Sequence, residues 1–292
     1  MNKIALGTVQ FGMDYGINNK RGKIHPDEVF SILDEAARSG IDTLDTACSY
    51  GDSEKVIGDF VRLGKSCFKI VSKLTACTRE KTEEIFKESL NRLGVSVLYG
   101  YLLHSFETYK KDEWIWGELE GIKSEGRVKK IGFSLYLPSE LEDLLRRNLA
   151  IDIIQIPFSV FDQRFEPYLS EMKKRGIEVH ARSIFLQGLV FQNPAKLDKY
   201  FETISDKVES LNSLSCKLGI SIASLCVNFA TANEYIDKAV VGVDGMENLI
   251  EIVKVSRDQF LSRDAICDIL NMRIDDENML LPFKWKLLKV KS

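Results

Sequence analysis

Histidine and proline are scarce in this chain, with three copies of one and six of the other in 292 residues. The histidines, His25, His104 and His180, form no HxH pair. A metal-dependent barrel hydrolase therefore has no ligand set here, and no metal site is expected. Cysteine occurs six times, at 48, 67, 77, 216, 226 and 267, with no CxxC spacing, which removes zinc ribbons and thioredoxin-like redox motifs. Cys67 and Cys226 stand in apolar surroundings and read as small core residues. No apolar run reaches the ~18 residues of a membrane-spanning helix, and the start MNKIALG has no apolar signal region. Forty basic against 43 acidic residues give a net charge of −3, without the clustered basic excess of a nucleic-acid binder. The one basic concentration, Lys284, Lys286, Lys289 and Lys291, reads as a solvated tail. Together these absences predict a cytoplasmic protein whose partners are neither nucleic acid nor membrane.

What is present is a large core. Apolar residues make up 45% and charged residues 28%, the profile of a globular protein that needs no covalent staples. Strand-like and helix-like stretches alternate along the whole chain. Glu28–Ser39 has helical spacing and stops at Gly40, and Arg79–Leu93 stops at Gly94. Between such helices lie short runs rich in Val, Ile and Leu: 41–44, 68–71, 97–103, 128–133, 151–156, 177–181 and 238–241. Continuous apolar strands without polar alternation are those of a parallel sheet covered on both faces. Helices are expected at Ser53–Val61, Asp112–Ser124, Pro138–Arg146, Phe165–Arg175, Leu197–Leu218, Ile222–Ala232 and Met246–Lys254. Eight β-then-α units without a composition break predict an α/β protein, a single (β/α)8 TIM barrel over residues 1–292 with a C-terminal tail from about 270. The competing open doubly wound sheet usually carries a GxGxxG turn after its first strand. There is none, and the glycines at 7, 12 and 16 precede no immediate helix pattern.

Four ionisable residues stand where such strands end: Asp45 after the second, with Tyr50 in the following loop, Lys73 after the third and His104 after the fourth. Barrel active sites lie on that C-terminal face. Each residue alone has an ordinary explanation as a turn residue, a packed ring, a solvated cation or a satisfied imidazole. As a set they fit carbonyl reduction. A carbonyl oxygen gains negative charge as hydride arrives and needs a proton donor and a stabilising dipole. Tyr50 can donate the proton, Lys73 can supply a nearby positive charge, Asp45 can hold Lys73, and His104 can orient the substrate oxygen.

The sequence resembles the aldo-keto reductase superfamily. The match is carried by Leu6–Gly7–Thr8, the run Gly40–Ala47, Tyr50–Glu54, Ser72–Lys73, Leu102–His104, Glu125–Ser134 and Ile154–Ser159, in that order. The resemblance implies that Asp45, Tyr50, Lys73 and His104 are a catalytic tetrad with Tyr50 as general acid. It implies a nicotinamide cofactor held in extended form, NADPH by family default with NADH as competitor. Ser134 and Gln155 would hold its carboxamide. Gly7, Thr8, Asp45, Arg182, Ser183, Leu186, Gly242, Asn248 and Glu251 would complete its contacts. The opening Gly7–Gly16 is similar to members of bacterial surface-polysaccharide pathways, which implies a sugar or nucleotide-sugar carbonyl as substrate.

Three departures stand out. Relatives often have Asn after the serine at 134, where this chain has Leu135. Many carry an aromatic residue after the seventh strand, stacked on the nicotinamide, where this chain has Arg182. A guanidinium there implies either an anionic group on the substrate or a bias toward the neutral, reduced cofactor; the alternative is an Arg turned away into a surface salt bridge. Relatives that use NADP place a Lys or Arg after the eighth strand, but 241–248 contains neither and adds Asp244. In the tail, Phe283 or Trp285 is expected either near the barrel mouth or on the barrel's outside. The leading reading is an NAD(P)H-dependent reductase of an aldehyde or ketone. A second, from another class, is a cofactor-binding regulatory or sensor protein with this fold and little turnover; the intact tetrad weighs against it.

Overall fold

A computed structural model describes residues 2–17, 19–64, 68–258 and 261–285. Cys67, Lys286, Lys289 and Lys291 lie outside the described residues. Eight strands close a barrel in sequence order: β1 Ile4–Gly7, β2 Thr43–Asp45, β3 Lys69–Leu74, β4 Leu98–Leu103, β5 Val128–Ser134, β6 Ile153–Pro157, β7 Glu178–Arg182 and β8 Lys238–Gly242. Every pairing is parallel, including β1 with β8, where Gly7 stands opposite Gly242. The (β/α)8 TIM barrel read from the sequence is the fold observed.

Residues two apart on a strand share a face, and this sorts the interior into levels. Val71, Leu102 and Ile153 form a fully buried apolar cluster separate from the larger core outside the sheet, with Tyr99 packed on it. One step above them stand Lys73, His104 and Gln155, at the mouth. Below them is a floor of charge. Asp42 accepts from Lys69 at 2.9 Å and Lys238 at 2.5 Å. Glu178 pairs with Lys130 and takes hydrogen bonds from Tyr99 at 2.7 Å and His180 at 2.6 Å. Several strands are thereby tied together away from the mouth.

The helices follow the predicted order with instructive differences. Ser53–Val61 and Ile222–Ala232 have the predicted bounds. The second helix starts earlier, at Pro26, because His25 caps the Asp27 amide and proline suits the first turn. Leu197–Leu218 is not one helix: a 3-10 stretch, Lys199–Ile204, precedes the α-helix Ser205–Leu218. The segment before Ile115–Ser124 holds a separate helix, Phe106–Lys111, capped by Ser105. A single turn, Val9–Gly12, lies within the glycine cluster where no helix is predicted. Two short helices, Arg263–Leu270 and Glu277–Leu280, carry the chain end back onto the barrel, where the Ile274 amide donates to Phe161 O at 2.9 Å. Among the described residues no single helix is long and apolar enough to cross a membrane.

Candidate active site

The loop after β2 is held in place residue by residue. Thr8 donates to Asp45 O through its amide at 3.0 Å and its hydroxyl at 2.9 Å. The Thr46 amide donates to Val71 O at 2.9 Å, and Ser53 Oγ to Thr8 O at 2.9 Å. Gly12 and Gly51 meet backbone to backbone here: a Cβ on Gly12 would overlap Tyr50 O, and Gly51 has φ of 52°. Only glycine permits that approach at no steric cost. Glu54, the last residue of the Tyr50–Glu54 stretch, is buried. It accepts from Ser72 Oγ at 2.7 Å and Arg92 Nε at 2.8 Å, which locks the helix Ser53–Val61 against β3. The loop that carries Tyr50 is therefore anchored at both ends.

Asp45, Tyr50, Lys73 and His104 come together at the mouth. Lys73 is fully buried and donates to Asp45 Oδ1 at 2.6 Å and to Thr46 O at 2.9 Å. The second Asp45 oxygen accepts from Gln155 Nε2 at 2.7 Å. Lys73 Nζ lies 5.2 Å from the centre of the Tyr50 ring, and the Tyr50 and His104 rings meet edge-on at 5.8 Å. Lys73 thus spends its hydrogen bonds on Asp45 and Thr46. The positive charge expected near Tyr50 lies beside its ring.

Charge states follow from burial. Burial pushes the Lys73 ammonium below its usual range, and Asp45 opposes that shift. Burial raises the Tyr50 hydroxyl well above its ordinary value, the negative charge of Asp45 adds to this, and Arg182 opposes it. Tyr50 is thus a phenol that keeps its proton at neutral pH. Burial, with the charges of Lys73 and Arg182, lowers His104 from 6.5 to about 3. The imidazole is neutral, with Nδ1 3.3 Å from Ser49 Oγ.

This neutrality has a measurable consequence. The unfolded chain takes a proton on His104 near 6.5, whereas the folded chain does not until about 3. Unfolding therefore takes up a proton in that window. The stability His104 lends is complete above 6.5 and is lost as pH falls toward 3. An NMR titration should find the His104 ring signals constant from about pH 8 to about pH 5, and a midpoint near the ordinary value of about 6.5 would show that the ring is not held neutral.

A cavity of about 250 Å³ opens above the four residues and runs to the end of β8. Of the residues expected to hold a cofactor, Gly7, Thr8, Asp45, Ser134, Gln155, Arg182, Ser183, Gly242, Asn248 and Glu251 line it. Leu186 does not. Its side chain is buried in the core and its amide donates to Ser183 O at 2.8 Å. Lys73 lies beneath the lining. Gly7 and Gly242, side by side, leave bare backbone at the cavity, and Gln10 Oε1 is a buried acceptor without a partner among the described residues. The roof is made by two loops: Gln187 donates through Nε2 to Tyr15 Oη at 2.9 Å and accepts from the Ile17 amide at 3.1 Å. Ser183, Leu186 and Gln187 have φ of 59°, 44° and 52°, a cluster of non-glycine left-handed residues of the kind found at ligand clamps.

Sequence reasoning missed three residues at this site. Tyr136 lines both this cavity and a second one of about 500 Å³ that also contains His104 and Phe283. Its ring stacks under Arg182, 4.2 Å from the guanidinium carbon, and meets Phe283 edge-on at 5.2 Å. Arg21, from the loop after β1, reaches the loop after β8 and donates to Asp244 O at 3.2 Å. It is also bonded to both oxygens of Glu28, at 3.0 and 2.7 Å. Gln10 donates to Asp244 Oδ1 at 3.2 Å. No local pattern marks them, because their partners lie far away in the chain. The tail divides the two expectations: Phe283 stands at the mouth, while Trp285 is buried against Phe201 at 4.9 Å.

A parallel eight-stranded barrel with its polar residues gathered above the C-terminal strand ends defines the class of the protein. The Aldo/keto reductase family model matches residues 3–269, and the chain belongs to that family. It is an NAD(P)-dependent oxidoreductase. Among curated relatives, the uncharacterized oxidoreductase YqkF of Bacillus subtilis is 24% identical over 91% of this chain and 94% of its own length. L-galactose dehydrogenase of Arabidopsis thaliana is 24% identical over 94% and 89%. Among solved structures, the holo form of aldo-keto reductase AKR11C1 from Bacillus halodurans superposes with a TM-score of 0.77 at 20% identity, covering 92% of this chain and 91% of that one.

Proposed function

We propose that the protein reduces the carbonyl group of a small aldehyde or ketone to an alcohol, with a sugar or nucleotide sugar as the leading substrate class. The observation that carries this reading is the protonated Tyr50 phenol, set beside a buried Asp45–Lys73 pair and a neutral His104 at the end of a long cavity. A nicotinamide cofactor bound along the cavity would supply the hydride. Tyr50 gives its proton to the carbonyl oxygen as charge builds there, and the Lys73 cation stabilises the tyrosinate left behind. Asp45 keeps Lys73 charged and fixed. His104 offers a ring N–H to the same oxygen and sets its direction. Ser134 and Gln155, neighbours in register, face the cavity where a carboxamide would be held; one Gln155 N–H is already committed to Asp45. The name of the L-galactose dehydrogenase relative supports a sugar substrate.

At the β8 end the charge favours NADH over NADPH. The Arg21 cation is neutralised by Glu28, and Asp244 and Glu251 line the cavity there. A 2′-phosphate must draw Arg21 away from Glu28 or meet net negative charge. Quenching titrations should give the lower Kd for NADH, and Glu28→Gln, which frees Arg21, should move the ratio toward NADPH. A lower Kd for NADPH in the unaltered protein would reverse the assignment. Oxidation of either bound cofactor by a carbonyl panel that includes keto-sugars tests the reaction itself. No oxidation by any member would leave a binding protein.

A further inference from the structure

Arg182 is a cation lining the cavity without a counter-ion among the described residues. Its NH1 donates to Ser183 Oγ at 3.1 Å and its NH2 to Leu135 O at 2.8 Å, both neutral acceptors. One face of the guanidinium is covered by the Tyr136 ring at 4.2 Å. No carboxylate pairs with it among the described residues, so the surface salt bridge considered from the sequence is not formed. Tyr136 is itself clamped. Its amide donates to Glu140 Oε2 at 2.7 Å, and its carbonyl accepts from Arg164 NH2 at 3.3 Å. Arg164 in turn is held by Asp162 at 2.7 Å. The guanidinium is therefore fixed in orientation by a rigid wall and left with uncommitted N–H groups facing a ligand cavity.

A half-buried charge held this way is costly unless something of opposite sign binds it. Its neighbours do not cancel it. Lys73 and Asp45 neutralise each other, His104 is neutral and Tyr50 is protonated. Glu140, the carboxylate behind the wall, spends its Oε2 on the Tyr136 and Leu137 amides. A planar, preorganised fork of donors matches a carboxylate or phosphate.

We propose that Arg182, backed by Tyr136, binds an anionic group of the substrate, so that the protein reduces carbonyl compounds bearing a carboxylate or phosphate near the reacting carbon. This rests on the carbonyl-reductase reading above and narrows it. A sugar acid or sugar phosphate satisfies both.

The test uses matched probe pairs with the intact protein and cofactor: glucuronate with glucose, succinic semialdehyde with butanal, and glyceraldehyde 3-phosphate with glyceraldehyde. The readout is the ratio of kcat/KM for charged over uncharged partner, which cancels any general loss in a variant. The unaltered protein should prefer the charged member of at least one pair by about 30-fold, the scale of a hydrogen bond to a charged group. The carboxylate and phosphate pairs distinguish the two anions. Arg182→Gln should bring that ratio near one, chiefly through KM, and Arg182→Lys should restore part of it. Separately, oxalate or inorganic phosphate should bind the cofactor complex of the unaltered protein and not that of Arg182→Gln. Equal ratios in the unaltered protein and Arg182→Gln, with turnover present, overturn the anion site alone. Absence of turnover on every probe, with anion binding retained, overturns the reductase reading and leaves the anion site standing.

Discussion

Tyr50→Phe should lower kcat by about 10³-fold, the scale of a lost general acid, while cofactor binding stays close to that of the unaltered protein. The substitution removes one hydroxyl and keeps the ring that packs edge-on to His104 and beside Lys73. Position and packing are thus preserved, and the loss reports proton transfer. Single-turnover oxidation of bound reduced cofactor is the measurement to use, because it isolates chemistry from product release. Because Tyr50 holds its proton far above neutrality, the unaltered protein should show no falling limb in that step from Tyr50 ionisation at moderately alkaline pH. A single-turnover rate within about tenfold of the unaltered protein in Tyr50→Phe would take Tyr50 out of the proton-transfer step.

Lys73→Met should be costly in a different way. The Lys73 side chain is fully buried and its partner Asp45 nearly so, at 0% and 5% exposure. Removing the ammonium leaves the carboxylate with Gln155 as its remaining side-chain donor. Stranding one member of a buried pair costs about 3–5 kcal/mol, which for a chain of this size lowers Tm by roughly 10 °C. Turnover should fall as well, because the tyrosinate loses its stabilising cation. The double variant Asp45→Asn, Lys73→Met removes both charges together. It should therefore recover much of the stability while remaining inactive, a non-additivity that a double-mutant cycle reads directly. Recovery of turnover along with stability would show that Lys73 serves the fold alone.

The four residues proposed as catalytic were legible because they sit near strand ends, and strand ends are visible as the edge of an apolar run. The barrel was legible for the same reason: short Val- and Ile-rich stretches separated by glycine-stopped helices have few other solutions. Helix interruptions were less visible. Lys199–Ile204 continues directly into the α-helix Ser205–Leu218, and no breaker such as Gly or Pro separates the 3-10 stretch from it. Nothing local relates Tyr136 to Arg182, 46 positions on. Arg21 is further still from Asp244. In each case the contact is made by barrel closure, which brings loops together in an order that no local pattern encodes. Leu186, named through the resemblance, has its side chain in the core and does not line the cavity.

The strand register divides the mouth of the barrel into two arcs. Tyr50, Asp45, Lys73 and His104 come from β2, β3, β4 and the loops that follow them. Arg182, Tyr136, Gly242 and Asp244 belong to β5 through β8 and their loops, on a frame whose lower ends are fastened by the Asp42 and Glu178 clusters. The arcs are nonetheless coupled: Gln155 of β6 holds Asp45 at 2.7 Å, and the Arg182 charge acts on both Tyr50 and His104. A change at 182 would therefore be felt across the mouth, and whatever it altered in the far arc's binding would come with a shift in the proton affinities of the near arc.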